Sequence, residues 1–555
     1  MTITADQVTF PGPDELPGFW NLDKMHSPRP VHPLSFDLIV ETLTEGFTKA
    51  QDEYDCPVMV SYKDINHFFY VSFHPLPDEA EIADRMTRYH DKLATKVPGV
   101  GKRWEEEWKP ELIAKNYAEK EVDYSGMSDE ELLAKLDEMT EHMRYMWWIH
   151  GHINFVLLSS SAFCDLYAEV MQPDDPTEAY QALQGFHTRS VDASRGMWEL
   201  RNIAKASPTL TELFENNDPK QVAAKLADSE DGRAFKVKLD EYLHEYGWRS
   251  DAVYDLADVP WREDPSIALS SIASFMGLPD SDAPEVLYQR GVKLREDLMA
   301  KARAKLADDP ETLAKFEELY EAAQYSFPLT EDHAFYIDQL GVGLFRRFTR
   351  AFGQRLAEKG VIAEGDDVFF LYRDEAVDAM QNGGDRKEVV AQRKASIARA
   401  SEVSAPVMLG TPPPMPEPGD PVDPFMDALV VRLLGVTPPD ANPDPNLIRA
   451  VAGSPGVYTG TARVVRSLSE AGDLEEGEVM VCEMTLPPWV PLFSIAGAIV
   501  SDVGGVLSHC AIVAREFDVP AVVGSQVGTT VIQTGQTVTV DGTHGIVYLD
   551  GRSLE

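Results

Sequence analysis

Twelve of the chain's 38 prolines crowd into the 40 residues from position 406 to 445. A ring that fixes φ and removes an N–H every third or fourth residue cannot sit inside a long helix or a central strand. The stretch therefore predicts a stiff extended connector over 401–448, and it divides a chain of 555 residues into parts of different periodicity. Before it, from about residue 80 to 400, apolar residues recur at three- and four-residue spacing with charges between them, the signature of helices. Leu340, Leu344, Phe348, Phe352 and Leu356 form one such stripe. After it come short β-type runs at 479–484, 498–501, 521–524, 537–540 and 546–549, with one helical segment at 508–517. The expected organisation is multidomain: a mostly α-helical domain over 1–400, a Pro-rich linker over 401–448 and a compact α/β domain over 449–555.

Charge narrows the functions open to such a chain. It carries 50 Lys and Arg against 92 Asp and Glu, a formal net charge of −42. Non-specific binding to nucleic acid or to an anionic membrane calls for a basic face, so neither partner is expected. No lysine follows Lys394, which leaves the C-terminal part without an ammonium to hold polyphosphate. No P-loop is present; Gly99, Gly101, Lys102 and Arg103 lack both its spacing and its hydroxyl. Cys56, Cys164, Cys482 and Cys510 are too scattered for a disulfide framework or a CxxC zinc site, and no metal is expected on this chain. With no basic and apolar leader at the N-terminus and no run of about 18 apolar residues, the chain is expected in the cytoplasm.

The most informative residues run from Ser501 to Gly524. A buried strand should end at Asp502, Gly504 and Gly505 should turn the chain, and Ser508 stands where a helix N-cap belongs. His509 then falls in the first helical turn, where unpaired N–H groups and partial positive charge suit a phosphoryl group carried on the ring. The same field disfavours an imidazolium and leaves a ring nitrogen free as a nucleophile. An incidental surface histidine after an ordinary strand–turn–helix is the alternative. Cys510 is expected to pack beneath the helix, and Arg515 and Glu516, nearly two turns on, to fix packing or docking.

The run from Gly504 through Ser508, His509, Arg515 and Pro520 resembles the phosphohistidine signature of the phosphoenolpyruvate-utilising mobile domain. Gly453 to Gly456, Thr485 to Phe493, and Asp541-Gly542 support the match. That domain occurs in phosphoenolpyruvate synthase, pyruvate phosphate dikinase and rifampin phosphotransferase. The resemblance implies a swivelling β/β/α domain in which His509 is phosphorylated, with Gly504, Gly505 and Ser508 forming the phosphohistidine loop. Single-chain relatives place an ATP-grasp domain ahead of these parts. The expectation is that ATP and Mg²⁺ bind a separate ATP-grasp subunit, as in the split phenylphosphate synthases and hydroxyaryl-ketone kinases.

An acceptor should then occupy the first 400 residues, parts of which resemble the substrate domain of rifampin phosphotransferase. The matching stretches begin at Trp20, Leu183, Tyr246, Pro260 and Asp366; Trp248 stands where relatives often have His. Trp147, His150, Gly151 and Asn154 share one helix face, which suits a flat aromatic ligand with a polar handle or, equally, a core face. Glu331, Asp332, His333 and Tyr336 precede the helix bearing Arg346 and Arg350, and one of them is placed to deprotonate a hydroxyl. In the resembling enzymes cations at this helix position assist transfer; here Arg346 and Arg350 match, with Arg for a Lys. Two guanidinium groups can neutralise phosphate oxygens, although a solvated basic face has the same pattern. The expected reaction passes a phosphoryl group from His509 to a small aromatic hydroxyl, a phenol or 4-hydroxyphenyl ketone, in aromatic catabolism. An antibiotic or other alcohol, a phosphoenolpyruvate-synthase-like reaction and a non-catalytic phosphocarrier stay open.

Overall fold

The computed structural model describes residues 8–24, 26–412, 423–436, 444–485 and 489–552. It divides the chain into two compact units that exchange segments. The first comprises Met1–Phe155, Ser250–Val259 and His333–Asp420; the second comprises Val156–Arg249, Pro260–Asp332 and Pro421–Glu555. Residues 1–400 are thus shared between both units.

In the first unit, helices surround a four-stranded antiparallel sheet made of β1 (Phe19–Leu22), β2 (Val58–Ile65), β3 (Phe68–Pro75) and β4 (Met408–Gly410), in the order β2-β3-β1-β4. Asn66 and His67 close the β2–β3 hairpin, both at positive φ (56° and 69°), as a tight two-residue turn between right-twisted strands requires. β4 comes from the Pro-rich stretch and pairs with β1. Helix Glu41–Glu53 packs on helix Asp129–Ile153 so closely that a Cβ on Gly151 would lie 2.7 Å from the Cβ of Ala50. Gly151 therefore serves helix packing and does not open space for a flat ligand. The stripe from Leu340 to Leu356 is buried throughout, at most 2% exposed, as the four-residue spacing predicts.

One helical run, Asp129–Met171, meets the length and apolarity of a membrane span. Its most apolar window is 56% buried inside the protein, as core helices of globular proteins also are.

In the second unit, an eight-stranded sheet is built from β5 (Leu447–Arg449), β6 (Val451–Ser454), β7 (Val457–Val465), β8 (Val479–Cys482), β9 (Ala498–Ser501), β10 (Ala521–Val523), β11 (Thr537–Asp541) and β12 (Ile546–Tyr548). The order is β5-β12-β11-β7-β8-β9-β10-β6. Strands β7 to β10 run parallel, and β9 reaches β10 through helix His509–Glu516, as parallel neighbours need a crossover. The five runs read from the sequence are β8 to β12, in place to within two residues. Helix Ser266–Gly277 packs on the short helix Val490–Phe493, and one core joins Trp261, Ile272 and Phe275 to Phe493, Ile499 and Val513.

The extended connector needs correction. Residues 424–433 form a helix, with Pro424 in its first turn, capped by Asp423 accepting from the Phe425 and Met426 N–H groups. The window 425–437 holds no proline, so a helix fits there once Pro424 occupies the position where a missing N–H costs nothing. The densest prolines, at 413–422 and 437–443, lie outside the described residues, as do 486–488 of the Thr485-to-Phe493 match.

Candidate functional site

β9 ends at Ser501, and the next seven residues build a tight loop at its carboxyl end. The Asp502 carboxylate accepts from the Ser525 hydroxyl (2.7 Å) and from the Thr529 N–H (3.1 Å), which anchors the start of the loop. Gly504 takes φ +118°, a conformation that L side chains rarely adopt. The Gly505 N–H donates to the Leu433 carbonyl (2.7 Å), and Leu507 N–H donates to the Arg432 carbonyl (2.7 Å). The loop is therefore seated on the end of helix 424–433. That helix is tied in turn by Arg432, whose guanidinium meets both carboxylate oxygens of Asp165 at 2.8 and 3.0 Å and Asp427 at 2.8 Å.

Ser508 then caps helix His509–Glu516, its hydroxyl accepting from the Ala511 N–H at 3.4 Å. His509 occupies the first helical position. Its Nδ1 lies 3.1 Å from both carboxylate oxygens of Glu331. An ionised carboxylate only accepts, so Nδ1 carries a ring proton, and in the neutral ring Nε2 holds the lone pair. Nε2 is buried and meets no hydrogen-bond partner among the described residues. Glu331 is itself 7% exposed and takes a further hydrogen bond from Ser190 (3.4 Å). The neighbouring Glu516 carboxyl is pushed up to about 8, first by burial and then by the charge on Glu331, with Arg515 opposing.

Arg515 and Cys510 play the supporting parts expected of them. Arg515 is 5% exposed and donates to the Gly453 and Val506 carbonyls at 2.6 and 3.0 Å, lashing the loop to the end of β6. Burial pulls its guanidinium down to about 10. Cys510 lies in the core, where burial pushes the thiol up to about 11 and leaves it a poor nucleophile. Trp248 is also buried, with its indole N–H donating to the His244 carbonyl (3.1 Å) and Arg262 stacked at 4.0 Å. That position is structural in this chain.

The first unit holds a second constellation. His150 stacks on His333 with ring centroids 4.5 Å apart and meets Trp147 at 5.6 Å. Tyr254 closes on Trp147 edge-on (5.2 Å) and stacks on His26 (4.2 Å), whose Nδ1 is held by Asp23 at 2.9 Å. Asp338 Oδ2 lies 3.8 Å from His333 Nε2. Burial draws His150 well below the usual imidazole range, with His333 and His26 adding to the effect. Burial raises the Asp338 carboxyl, against the pull of His333 and His26. His26 is raised because the charge and hydrogen bond of Asp23 outweigh its burial.

Of the residues singled out for an acceptor, the fold brings Trp147, His150 and His333 together. Tyr336 is buried on the same unit, against Trp104 and Phe335. Asn154 is half-buried in a short 3₁₀ turn. Arg346 and Arg350 take different partners. Arg346 is buried, donates to the Leu256 carbonyl (2.7 Å) and lies 5.2 Å from the ring of Phe369, whereas Arg350 pairs with Asp366 at the surface (2.7 Å). Sequence spacing pointed to neither the contact of Glu331 with His509 nor the approach of Asp338 to His333. Both pairings depend on tertiary structure.

Comparison with known proteins agrees with this architecture. The profile of the PEP-utilising enzyme mobile domain matches residues 474–545, and that of the rifampicin phosphotransferase fourth domain matches residues 149–331. The chain is 32% identical over 556 residues to chondramide synthase cmdD of Chondromyces crocatus, which covers 98% of this chain and 14% of that protein. It is 27% identical over 355 residues to rifampicin phosphotransferase of Streptomyces sviceus, across 63% of this chain and 38% of that one. It is 48% identical over 103 residues to phosphoenolpyruvate synthase of Aeropyrum pernix, across 18% and 13%. The chain spans less than half the length of each of these three relatives. With a mobile domain presenting His509 and a fourth-domain segment supplying Glu331, the chain resembles rifampicin phosphotransferase among the phosphoenolpyruvate-utilising enzymes.

Proposed function

We propose that this chain is the carrier and acceptor part of a phosphotransferase. His509 Nε2 attacks the phosphorus of ATP bound on a separate ATP-grasp subunit with Mg²⁺. The bond from that phosphorus to its bridging oxygen breaks, the rest of the nucleotide departs with the oxygen, and the phosphoryl group rests on the ring. The domain then swings and delivers the group to the hydroxyl of a small aromatic molecule, a phenol or 4-hydroxyphenyl ketone, held by Trp147, His150, Asn154, His333 and Tyr336. The acceptor oxygen forms the new P–O bond as the P–N bond breaks, and a neutral imidazole takes its proton. Arg346 and Arg350 are the cations on this path in the resemblance. Arg346 would have to release the Leu256 carbonyl to serve. The reading places the chain in the cytoplasm.

The observation that carries the proposal is the Glu331 clamp on Nδ1, which leaves Nε2 as the one nucleophilic nitrogen of a ring at a helix N-terminus. Nε2 is enclosed in this arrangement, so a phosphoryl group does not fit on it. Phosphorylation therefore requires the cover over Nε2 to open while Glu331 keeps its hold on Nδ1. One carrier histidine splits a long transfer into two short ones, each run by positioning.

The direct test incubates the purified chain with radiolabelled ATP, Mg²⁺ and the ATP-grasp subunit, then adds a panel of phenols. Acid-labile label on this chain that chases into a phenol supports the reading; no label on this chain in any mixture overturns it. The fourth-domain match favours one second reading, a larger hydroxylated antibiotic as acceptor, and a chase into such a compound but no phenol selects it.

Glu331 is a positioning residue in this scheme. Glu331→Gln keeps the shape and loses the charge that fixes the tautomer, and it is expected to slow labelling of His509 by roughly 10²-fold to 10⁴-fold. ¹⁵N spectra of the ring should show a mixed tautomer in the variant, and Glu331→Asp should restore part of the rate. An unchanged tautomer and rate in Glu331→Gln would remove Glu331 from the mechanism.

A further inference from the structure

The first unit contains a ligand set that the spacing of the sequence conceals. One atom each from His150, His333 and Asp338 lie within 4.8 Å of one another. His150 is 6% exposed and Asp338 is 8% exposed. Both keep a buried polar atom, His150 Nδ1 and Asp338 Oδ1, that reaches no hydrogen-bond partner among the described residues. Each such atom costs about 1–3 kcal/mol, and two in one cluster ask for a common partner. A bound cation satisfies a buried carboxylate and neutral imidazoles together.

We propose that His150, His333 and Asp338 bind one divalent transition-metal ion of the zinc class. Two imidazoles with one carboxylate is the donor set of zinc sites that keep an open position, whereas Mg²⁺ and Ca²⁺ take oxygen donors. Ligands at about 2.1 Å from a tetrahedral ion stand about 3.4 Å apart, so binding draws these side chains together by about an ångström. Asp338 Oδ2 and His333 Nε2, at 3.8 Å, are already close to that spacing. Tyr254 and His26, stacked at 4.2 Å, together with Trp147, supply the apolar and polar wall that orients ligands around such an ion. The open position is where the acceptor hydroxyl of the proposed reaction would coordinate. That use rests on the proposed function; the binding of the ion does not.

The test uses the full chain, stripped by a chelator and equilibrated with Zn²⁺ or Co²⁺. One equivalent of zinc by elemental analysis is expected, with X-ray absorption of the zinc-loaded wild type showing two imidazoles and oxygen but no sulfur around the metal. His150→Gln and Asp338→Asn should each weaken binding roughly tenfold to a hundredfold or more, and His509→Ala should leave it unchanged. Failure of the wild type to retain zinc, or a metal shell containing sulfur or lacking imidazole, overturns the proposal. So does full retention by both ligand variants. The absorption measurement on the wild type decides the matter even where a variant does not fold, and none of these readings depends on phosphoryl transfer.

Discussion

His509→Ala is expected to abolish acid-labile phosphate on the chain and to reduce transfer to any acceptor by more than about 10⁴-fold, because no other group offers a nucleophile at that point. The mobile domain supplies its own control. The only other histidine in residues 449–555 is His544, whose Nδ1 also meets a carboxylate, Asp541 Oδ2, at 2.8 Å. A carboxylate partner therefore does not by itself define a carrier. What separates the two is position. His544 sits in the β11–β12 turn with its side chain 66% exposed, whereas His509 opens a helix in a glycine loop with its side chain 14% exposed. His544→Ala should keep full labelling.

Loss of the His509 ring leaves the fold standing. The Ser508 cap is untouched, and the cost is that of leaving buried Glu331 with the Ser190 hydroxyl at 3.4 Å as its hydrogen-bond donor among the described residues, about 1–3 kcal/mol. Intact-mass analysis before and after acid treatment reads the phosphate, and thermal unfolding reads the fold. Label persisting on a folded His509→Ala protein would place the carrier elsewhere and remove the central claim.

Local signals in the sequence carried far in the C-terminal domain and less far elsewhere, for physical reasons that individual residues display. Ser508, Gly504 and the alternating runs of β8 to β12 are short-range features: a cap, a positive φ, a period of two. Each is decided by neighbours a few residues away. The Pro-rich stretch misled because proline density was averaged over 40 residues, while helix formation responds to the 13 residues after Pro424 that contain none. Arg346 and Arg350, four residues apart in the sequence, suggest either a pair of phosphate-neutralising cations or a solvated basic face, and Arg346 fits neither in this arrangement. The segment Ser250–Val259 returns to the first unit and offers it the Leu256 carbonyl, so the helix is buried on that side as well. Gly151 looked like space for a ligand and proves to be space for Ala50. Glu331 and His509 lie 178 residues apart, and no local feature of the sequence pairs them. His150 and His333 stand out in the sequence as imidazoles, whereas Asp338, which completes their cluster, carries no signal of its own in a helical run.

Gly505→Ala is expected to damage both stability and labelling, and the reason lies in the helix that the prolines concealed. A Cβ at position 505 would stand 2.3 Å from the Arg432 carbonyl oxygen, 2.5 Å from that of Val431 and 2.6 Å from the Arg432 carbonyl carbon. These are backbone atoms, so no rotamer change relieves the overlap; helix 424–433 must retreat. Retreat breaks the hydrogen bonds from Gly505 to Leu433 and from Leu507 to Arg432, and it pulls Arg432 from the Asp165 pair that fixes the helix. Overpacking with the loss of two buried hydrogen bonds should cost about 3 kcal/mol, seen as a lowered Tm. Because the same contacts set the angle at which the loop enters the His509 helix, labelling should fall at least tenfold even below the melting range, where a misplacement of about 1 Å costs that much or more. Gly472→Ala, at a position whose added Cβ meets nothing within 4 Å, should change neither. If Gly505→Ala matches the wild type in Tm and labelling, helix 424–433 does not seat the loop, and the Pro-rich stretch reverts to a passive tether.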